Sequence, residues 1–410
     1  MTEFMLQHSA PVSTMKKLGG VLLIAGTSIG AGMLAIPYAV AAAGFFYAVI
    51  LLLVNWLIML PTALLMVEVN TRQPIAADLN TMAKATLGKS GQVINWLTYL
   101  LLLYALATAY VSMGGSLIDQ YIFRSPSTVP SWYGGLLFSG ILGAVVYIGT
   151  AVVDQLNKVF FALKAFCFIG FVAVVVLHVD TQLLFHNSLG FSYAWYAIPI
   201  LITSFGFHIV IPTVRNYFNN DIVFKKTVVV GACVPLFVYL LWVTVTLGVI
   251  PINGDYGFVF LLQKGLDLGA GYQHLSKVND ASIFIVAFSN IAVNTSFFGV
   301  TLALFHFNQD AYFLKHSIRK RLLNFVITYV PPFVFAVFFV DGFLHALGYA
   351  SIFVAILLII LPALMAWSLR NKEHRNTLTS KFVLCLLVIG GVTIIALQVL
   401  LSFDLLPILK

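Results

Sequence analysis

The sequence predicts an all-α integral membrane protein that crosses the bilayer eleven times, and three observations carry that prediction. Of 410 residues, 61% are hydrophobic and only 9% charged, with a mean hydropathy of +1.00; a soluble domain carries about 25% charged residues. Such a chain is not a soluble enzyme, a disordered protein or a nucleic-acid-binding domain. The apolar residues gather in runs close to the roughly 20 residues that span a hydrocarbon core as a helix. The alternation of about ten residues expected of a membrane barrel is absent, and helices satisfy their own backbone groups in lipid.

In chain order, a mixed polar tail (1–15) precedes runs at 18–42, 45–69, 93–118, 132–152, 158–178, 194–214, 227–250, 281–304, 322–340, 343–368 and 381–403. The first run is too long for a removable signal peptide and lacks a small-residue cleavage site, so it is expected to stay as the first membrane helix. The formal charge is +8, and the placement of the cations says more than their sum. Loops on one side hold seventeen: Lys16, Lys17, Arg72, Lys84, Lys89, Lys158, Arg215, Lys225, Lys226, Lys315, Arg319, Lys320, Arg321, Arg370, Lys372, Arg375 and Lys381. The other side holds four, Arg124, Lys264, Lys277 and Lys410. The positive-inside rule then puts the N-terminus in the cytoplasm and the C-terminus outside. Lys164 is left over, inside the fifth run.

Spans 1 to 5 (16–178) and 6 to 10 (194–368) form halves of similar length, with span 11 (381–403) appended. Five is odd, so any repeat relating the halves is inverted. Span 1 contains Gly26-Thr27-Ser28-Ile29-Gly30-Ala31-Gly32, and span 6 contains Thr203-Ser204-Phe205-Gly206-Phe207-His208 followed by Pro212. Glycine weakens a helix by about 1 kcal/mol relative to alanine, and an interrupted helix exposes N–H and C=O groups where lipid offers no partner. Half-helix N-termini favour a carboxylate and freed carbonyls an ammonium, both of which an α-amino acid carries. Gly26 and Gly30 equally fit a small-xxx-small packing face, Pro212 a kink, and His208 either a packed histidine or a functional ionisable group.

Lys164 is expensive at membrane depth unless it is paired or able to shed its proton, or else it snorkels to the near surface. Glu68 reads as interfacial. Asn55, Tyr104, Tyr110, Asn290, Asn294, Thr295 and Ser296 read mainly as interhelical glue. Gly88-Lys89-Ser90 resembles the end of a phosphate-binding loop, but the position five before the glycine is Ala83, so no nucleotide is expected. The nine histidines and three cysteines show no metal-ligand spacing, no disulfide framework is implied, and no hydrolase elbow is present. No cofactor or nucleic acid is expected.

With these residues in view, the chain resembles the bacterial aromatic amino acid permeases of the hydroxy/aromatic amino acid permease family over nearly its whole length. The resemblance rests on Ala25 to Leu34 with Pro37, on Thr203 to His208 with Pro212, on Thr295-Ser296-Phe297-Phe298-Gly299-Val300, and on Ala346-Leu347-Gly348-Tyr349-Ala350. Thr150-Ala151-Val152-Val153-Asp154 points towards the tyrosine-specific branch. The resemblance implies the five-plus-five inverted-repeat fold of the amino acid/polyamine/organocation superfamily, of leucine-transporter type, plus one C-terminal helix. It implies uptake of an aromatic amino acid with protons, and a Lys164 whose ammonium takes the place of a structural sodium ion in sodium-coupled relatives.

The expected function is therefore import of tyrosine by proton symport with alternating access. Thr27, Ser28, Ile29, Gly30, Ala31 and Gly32, with Ser204, Phe205, Gly206, Phe207 and His208, are the candidate substrate head-group site. Tyr104, Asn294 and Thr295 are the candidates for the side-chain pocket and gate, and Lys164 for proton coupling. A tryptophan or broad aromatic permease, and a passive channel for small neutral solutes, are the alternatives.

Overall fold

The structure, a computed structural model, describes residues 13–75, 77–123, 132–275, 278–311, 317–338 and 342–409. Residues 1–12 of the expected tail, the counted cations Arg124, Lys277, Lys315 and Lys410, and the end of the ninth run (339–340) lie outside the described residues.

Among the described residues every regular element is helical. The first run divides into α1 (Thr14–Ser28) and α2 (Gly32–Ala41), bent by 52°. There follow α3 (Phe45–Thr71), α4 (Leu79–Ile118), α5 (Trp132–Ile148), α6 (Thr150–Val175) and a short surface helix, α7 (Thr181–His186). The sixth run holds α8 (Ala194–Ser204) and α9 (Ile211–Arg215), and α10 (Asp221–Leu247) is unbroken. Two short helices, α11 (Phe258–Lys264) and α12 (Leu268–His274), lead to α13 (Ala281–Ala311). The chain ends with α14 (Ile318–Phe338), α15 (Phe343–Val354), a π turn into α16 (Leu361–Lys372), and α17 (Leu378–Ser402).

Several of these helices start where a short polar side chain accepts a first-turn N–H, as helix N-termini require. Asp78 accepts from Thr81, Asp180 from Gln182, Asn220 from Ile222 and Val223, Asp267 from Ala270, and Thr377 from Ser380. The Asp78 cap explains why α4 begins at Leu79 rather than at the start of the apolar run at 93. Its first turns are amphipathic, with Met82 and Ala83 buried while Lys84 and Lys89 are exposed, and the chain then turns at Gly88 (φ 74°) into the apolar part. Hydropathy sees only the second segment.

Nine helical stretches among the described residues are long and apolar enough to cross a membrane, and the bent α1–α2 pair makes ten. The fourth run is the apolar helix α5, whose 17 residues leave it shorter than these. On one side of the bundle α1 and α3 pack on α10, and α8 packs on α2 and α3. On the other side α13 packs on α4 and α6, α14 packs on α4 and α5, and α15 joins α4 to α8. Small residues let these backbones meet: a Cβ on Gly115 of α4 would lie 2.7 Å from the Gly135 nitrogen of α5. Glu68, at the end of α3, accepts from Arg370 Nε at 3.0 Å and Nη2 at 2.5 Å, and so ties α3 to α16.

Candidate functional site

The interruption of span 1 follows from where its N–H groups go. The Ile29 N–H still bonds Ala25, but the Gly30 N–H turns to the Ser28 carbonyl at 2.8 Å, and the Ala31 N–H donates to Ser296 Oγ at 2.9 Å. The carbonyls of Gly26 and Thr27 thereby lose the donors that a continuous helix would supply. A Cβ on Gly30 would stand 2.6 Å from Ser296 Oγ and push that hydroxyl off the Ala31 N–H. Span 6 opens likewise. The Gly206 N–H bonds Thr203 at 3.2 Å and the Phe207 N–H bonds Phe205 at 3.0 Å, after which a 3₁₀ turn (His208–Val210) resumes the coil.

Side chains from other helices hold both openings. Lys164 of α6, 6% exposed, donates from Nζ to the Ile29 carbonyl at 2.8 Å, with its ammonium 5.7 Å from the Phe161 ring centroid. The fully buried Tyr239 hydroxyl of α10 lies 2.6 Å from the Ser28 carbonyl and 2.8 Å from the Ser204 carbonyl. It carries one proton for two acceptors, each at the C-terminal end of a half-helix. Ser204 Oγ reaches the Gly32 carbonyl at 3.2 Å, and Trp242 Nε1 donates to the Met33 carbonyl at 3.0 Å.

A cavity of about 560 Å³ lies against these openings, within the range of sites that enclose small molecules. Gly26, Thr27, Ser28, Gly30 and Gly32 line it from span 1, and Thr203, Ser204 and Gly206 from span 6. Aromatic and polar groups face them: Tyr99 and Tyr110 on α4, Asn157, Phe161 and Lys164 on α6, and Thr295 and Ser296 on α13. Ser28 Oγ is buried there with no partner among the described residues. The site thus offers freed carbonyls and convergent helix C-termini to a cation, the N-terminus of α2 to an anion, and a hydroxyl-bearing aromatic wall.

Profile comparison decides what kind of protein carries this site: the tryptophan/tyrosine permease family matches residues 13–398. The chain belongs to that family. The permease is 32% identical over 402 residues to the tryptophan-specific transport protein of Shigella flexneri, covering 95% of this chain and 96% of the relative. It is also 32% identical over 412 residues to tyrosine-specific transport system 2 of Haemophilus influenzae, covering 96% and 98%. Tyrosine-specific transport system 1 of the same organism is 33% identical over 368 residues, covering 88% and 90%. The permease is a multi-pass transport protein and not an enzyme.

In the permease, Thr27, Ser28, Gly30, Gly32, Lys164, Ser204, Gly206 and Thr295 come together on the cavity. Ile29 and Ala31 act on it through their backbone, towards Lys164 and Ser296. The remaining candidates point elsewhere. Phe205 and Phe207 are fully buried, against Tyr239 and His208 respectively. His208 Nε2 is 2.9 Å from Thr62 Oγ1 of α3. The Tyr104 hydroxyl donates to the Ile327 carbonyl at 2.9 Å, and Asn294 does not line the cavity.

Sequence reasoning passed over Tyr99, Asn157 and Tyr239 and assigned Tyr110 and Ser296 to packing. Helical phase was the signal available. Tyr99, Leu103, Leu106 and Tyr110 share one face of α4 at spacings of four, three and four, and Tyr104 falls outside that series.

A second cavity of about 510 Å³ lies beyond the openings and uses the adjoining turns of the same helices. Gly32, Tyr110 and Leu347 face the first cavity; Leu34, Met113 and Leu344 face the second. About one turn separates them. Tyr38, whose hydroxyl donates to the Leu266 carbonyl at 3.1 Å, and the α11–α12 segment cover the second cavity.

Proposed function

We propose that the permease imports an aromatic amino acid, tyrosine in the first instance, by proton symport with alternating access. The observation that carries this reading is the cavity at the meeting of two interrupted spans, with a buried lysine ammonium on a carbonyl at one interruption. The substrate ammonium sits at the Gly26 and Thr27 carbonyls. Its carboxylate meets the N-terminus of α2 and the Ser28 hydroxyl, and its ring lies between Tyr99, Tyr110 and Phe161. Lys164 holds the Ile29 carbonyl while charged; passing its proton to water weakens that grip and lets α1 move.

The five-plus-five inverted repeat and the count of eleven spans are supported by how the helices pair. Taking α5 as span 4 and α15–α16 as span 10, contacts recur when each span is advanced by five. Span 1 on span 7 matches span 6 on span 2, and span 5 on span 8 matches span 10 on span 3. Span 4 on span 8 likewise matches span 9 on span 3. The halves are then 16–178 and 194–368, with α17 appended. Cation placement puts the N-terminus in the cytoplasm of a bacterial inner-membrane protein. The cavity at the interruptions extends to Leu22, Asn157 and Ala303, towards that cytoplasmic end, which supports reading this conformation as inward-facing.

Uptake of labelled tyrosine into proteoliposomes tests the reading, with an imposed proton gradient, with a sodium gradient, and with tyrosine, tryptophan, phenylalanine and glutamine as competitors. Accumulation against a gradient only when protons drive it, blocked best by tyrosine, is expected. Equilibration without accumulation would instead make the protein a passive facilitator, and stronger blocking by tryptophan would move it to that specificity.

A further inference from the structure

We infer that the groove between α16, α17 and the kink of α4 is a binding site for one anionic phospholipid, phosphatidylglycerol-like in charge. At about 610 Å³ this groove is larger than the cavity at the interruptions, and it opens on the outer face of the bundle, away from any part of the transport path described above. Its trough is apolar, formed by Leu364, Trp367, Val388 and Ile389, with Leu364 and Ile389 exposed in the way expected of lipid-facing side chains. Its rim is polar and cationic, formed by Asn371 and Lys372 in the last turn of α16.

Both rim groups have donors to spare. The Lys372 ammonium gives one N–H to the Ala85 carbonyl at 3.2 Å and keeps two. The Asn371 oxygen accepts from Asn376 Nδ2 at 2.8 Å, which fixes the amide so that its NH₂ faces away from that bond. Both nearby carboxylates are already engaged: Glu68 with Arg370 and Arg375, and Glu373 with Arg72 and Arg375. Among the described residues, no unpaired acid lines the rim beside Lys372. An apolar trough that meets a tryptophan and an ammonium at the end of α16 matches a phosphodiester lipid of net negative charge. Basic pockets between membrane helices recognise such headgroups, and interfacial tryptophan anchors at that depth.

The site is tested on the full-length protein purified from vesicles of equal phosphatidylglycerol and phosphatidylethanolamine, with retained lipid read by native mass spectrometry. Enrichment of phosphatidylglycerol is expected, falling about fivefold in Lys372→Ala because one interfacial cation is lost. Cys385→Trp fills the trough without touching charge and should displace bound lipid of either headgroup. Free glycerol phosphate should not compete, because the trough and not the rim alone holds the lipid; competition by it would reduce the site to a phosphate-binding rim. Retention in the vesicle ratio, or enrichment unchanged in both variants, would overturn the assignment. A melting temperature like that of the wild type certifies each variant, and if one fails to fold the other decides the question alone.

Discussion

Lys164 is the residue on which coupling turns. Its ammonium donates to the Ile29 carbonyl at 2.8 Å, so the charge sits on the freed end of a half-helix rather than on a carboxylate. Replacing it with alanine should abolish accumulation of tyrosine driven by a proton gradient while leaving exchange of tyrosine across the membrane measurable; retained pH-driven accumulation would remove Lys164 from the mechanism. Tyr239 carries a different load. Its single proton is shared between the Ser28 and Ser204 carbonyls, and Tyr239→Phe takes this donor from the buried Ser204 carbonyl and leaves the Ser28 carbonyl with the Gly30 N–H alone. A loss of about 1 kcal/mol is expected, read as about a fivefold drop in transport rate with the fold retained in a thermal melt. The sequence made Lys164 legible because a lysine inside an apolar run is conspicuous. Tyr239 was not legible, since one tyrosine among 17 reveals its two partners only when α1, α8 and α10 are brought together.

Among elements, the interruption of span 1 was readable because glycines at 26, 30 and 32 are poor company for a helix, and a side chain at Gly30 would displace the Ser296 hydroxyl that accepts from Ala31. Gly30→Val should therefore weaken tyrosine binding at least tenfold in a scintillation-proximity assay, whereas Gly19→Ala, where an added Cβ meets nothing within 4 Å, should leave it unchanged. The α11–α12 segment was not readable at all, because its helices have seven residues each and fall between the apolar runs. It closes on the π turn that extends α4 (Asp119–Phe123) through Asp267, whose Oδ1 accepts from Tyr121 at 2.8 Å and Gln120 Nε2 at 2.9 Å, while Oδ2 is buried with no partner among the described residues. Burial drives this carboxyl above the usual carboxylate range, against the pull of its hydrogen bonds. A raised value in the closed form means that closure takes up a proton, so the closed cap is favoured at low pH and loses stability as pH rises through that value. Hydrogen exchange of residues 265–275, corrected for intrinsic rates, should show protection falling with rising pH; Asp267→Asn should flatten the dependence. Protection that rises with pH in the wild type would contradict this.

For the whole molecule, composition and run length were enough to give an all-helical membrane chain, and the positions of the two interruptions pointed to the cavity that lies against them. Helical phase limited the rest. Hydropathy says how long a helix is but not which face it turns inward: Tyr110 lines the cavity, whereas Tyr104 donates to the Ile327 carbonyl and His208 packs on Thr62. The Glu68–Arg370 tie depends on a contact between distant segments, which no local pattern encodes. The central claim is that two half-helix openings grip the head group of an amino acid, and a structure of the permease with bound tyrosine, determined by electron cryo-microscopy in nanodiscs, tests it most directly. The account predicts ligand density in the cavity with the ammonium within hydrogen-bonding reach of the Gly26 and Thr27 carbonyls and the carboxylate at the Gly32 N–H. Density confined to another cavity, or spans 1 and 6 wound continuously with tyrosine bound, would contradict it.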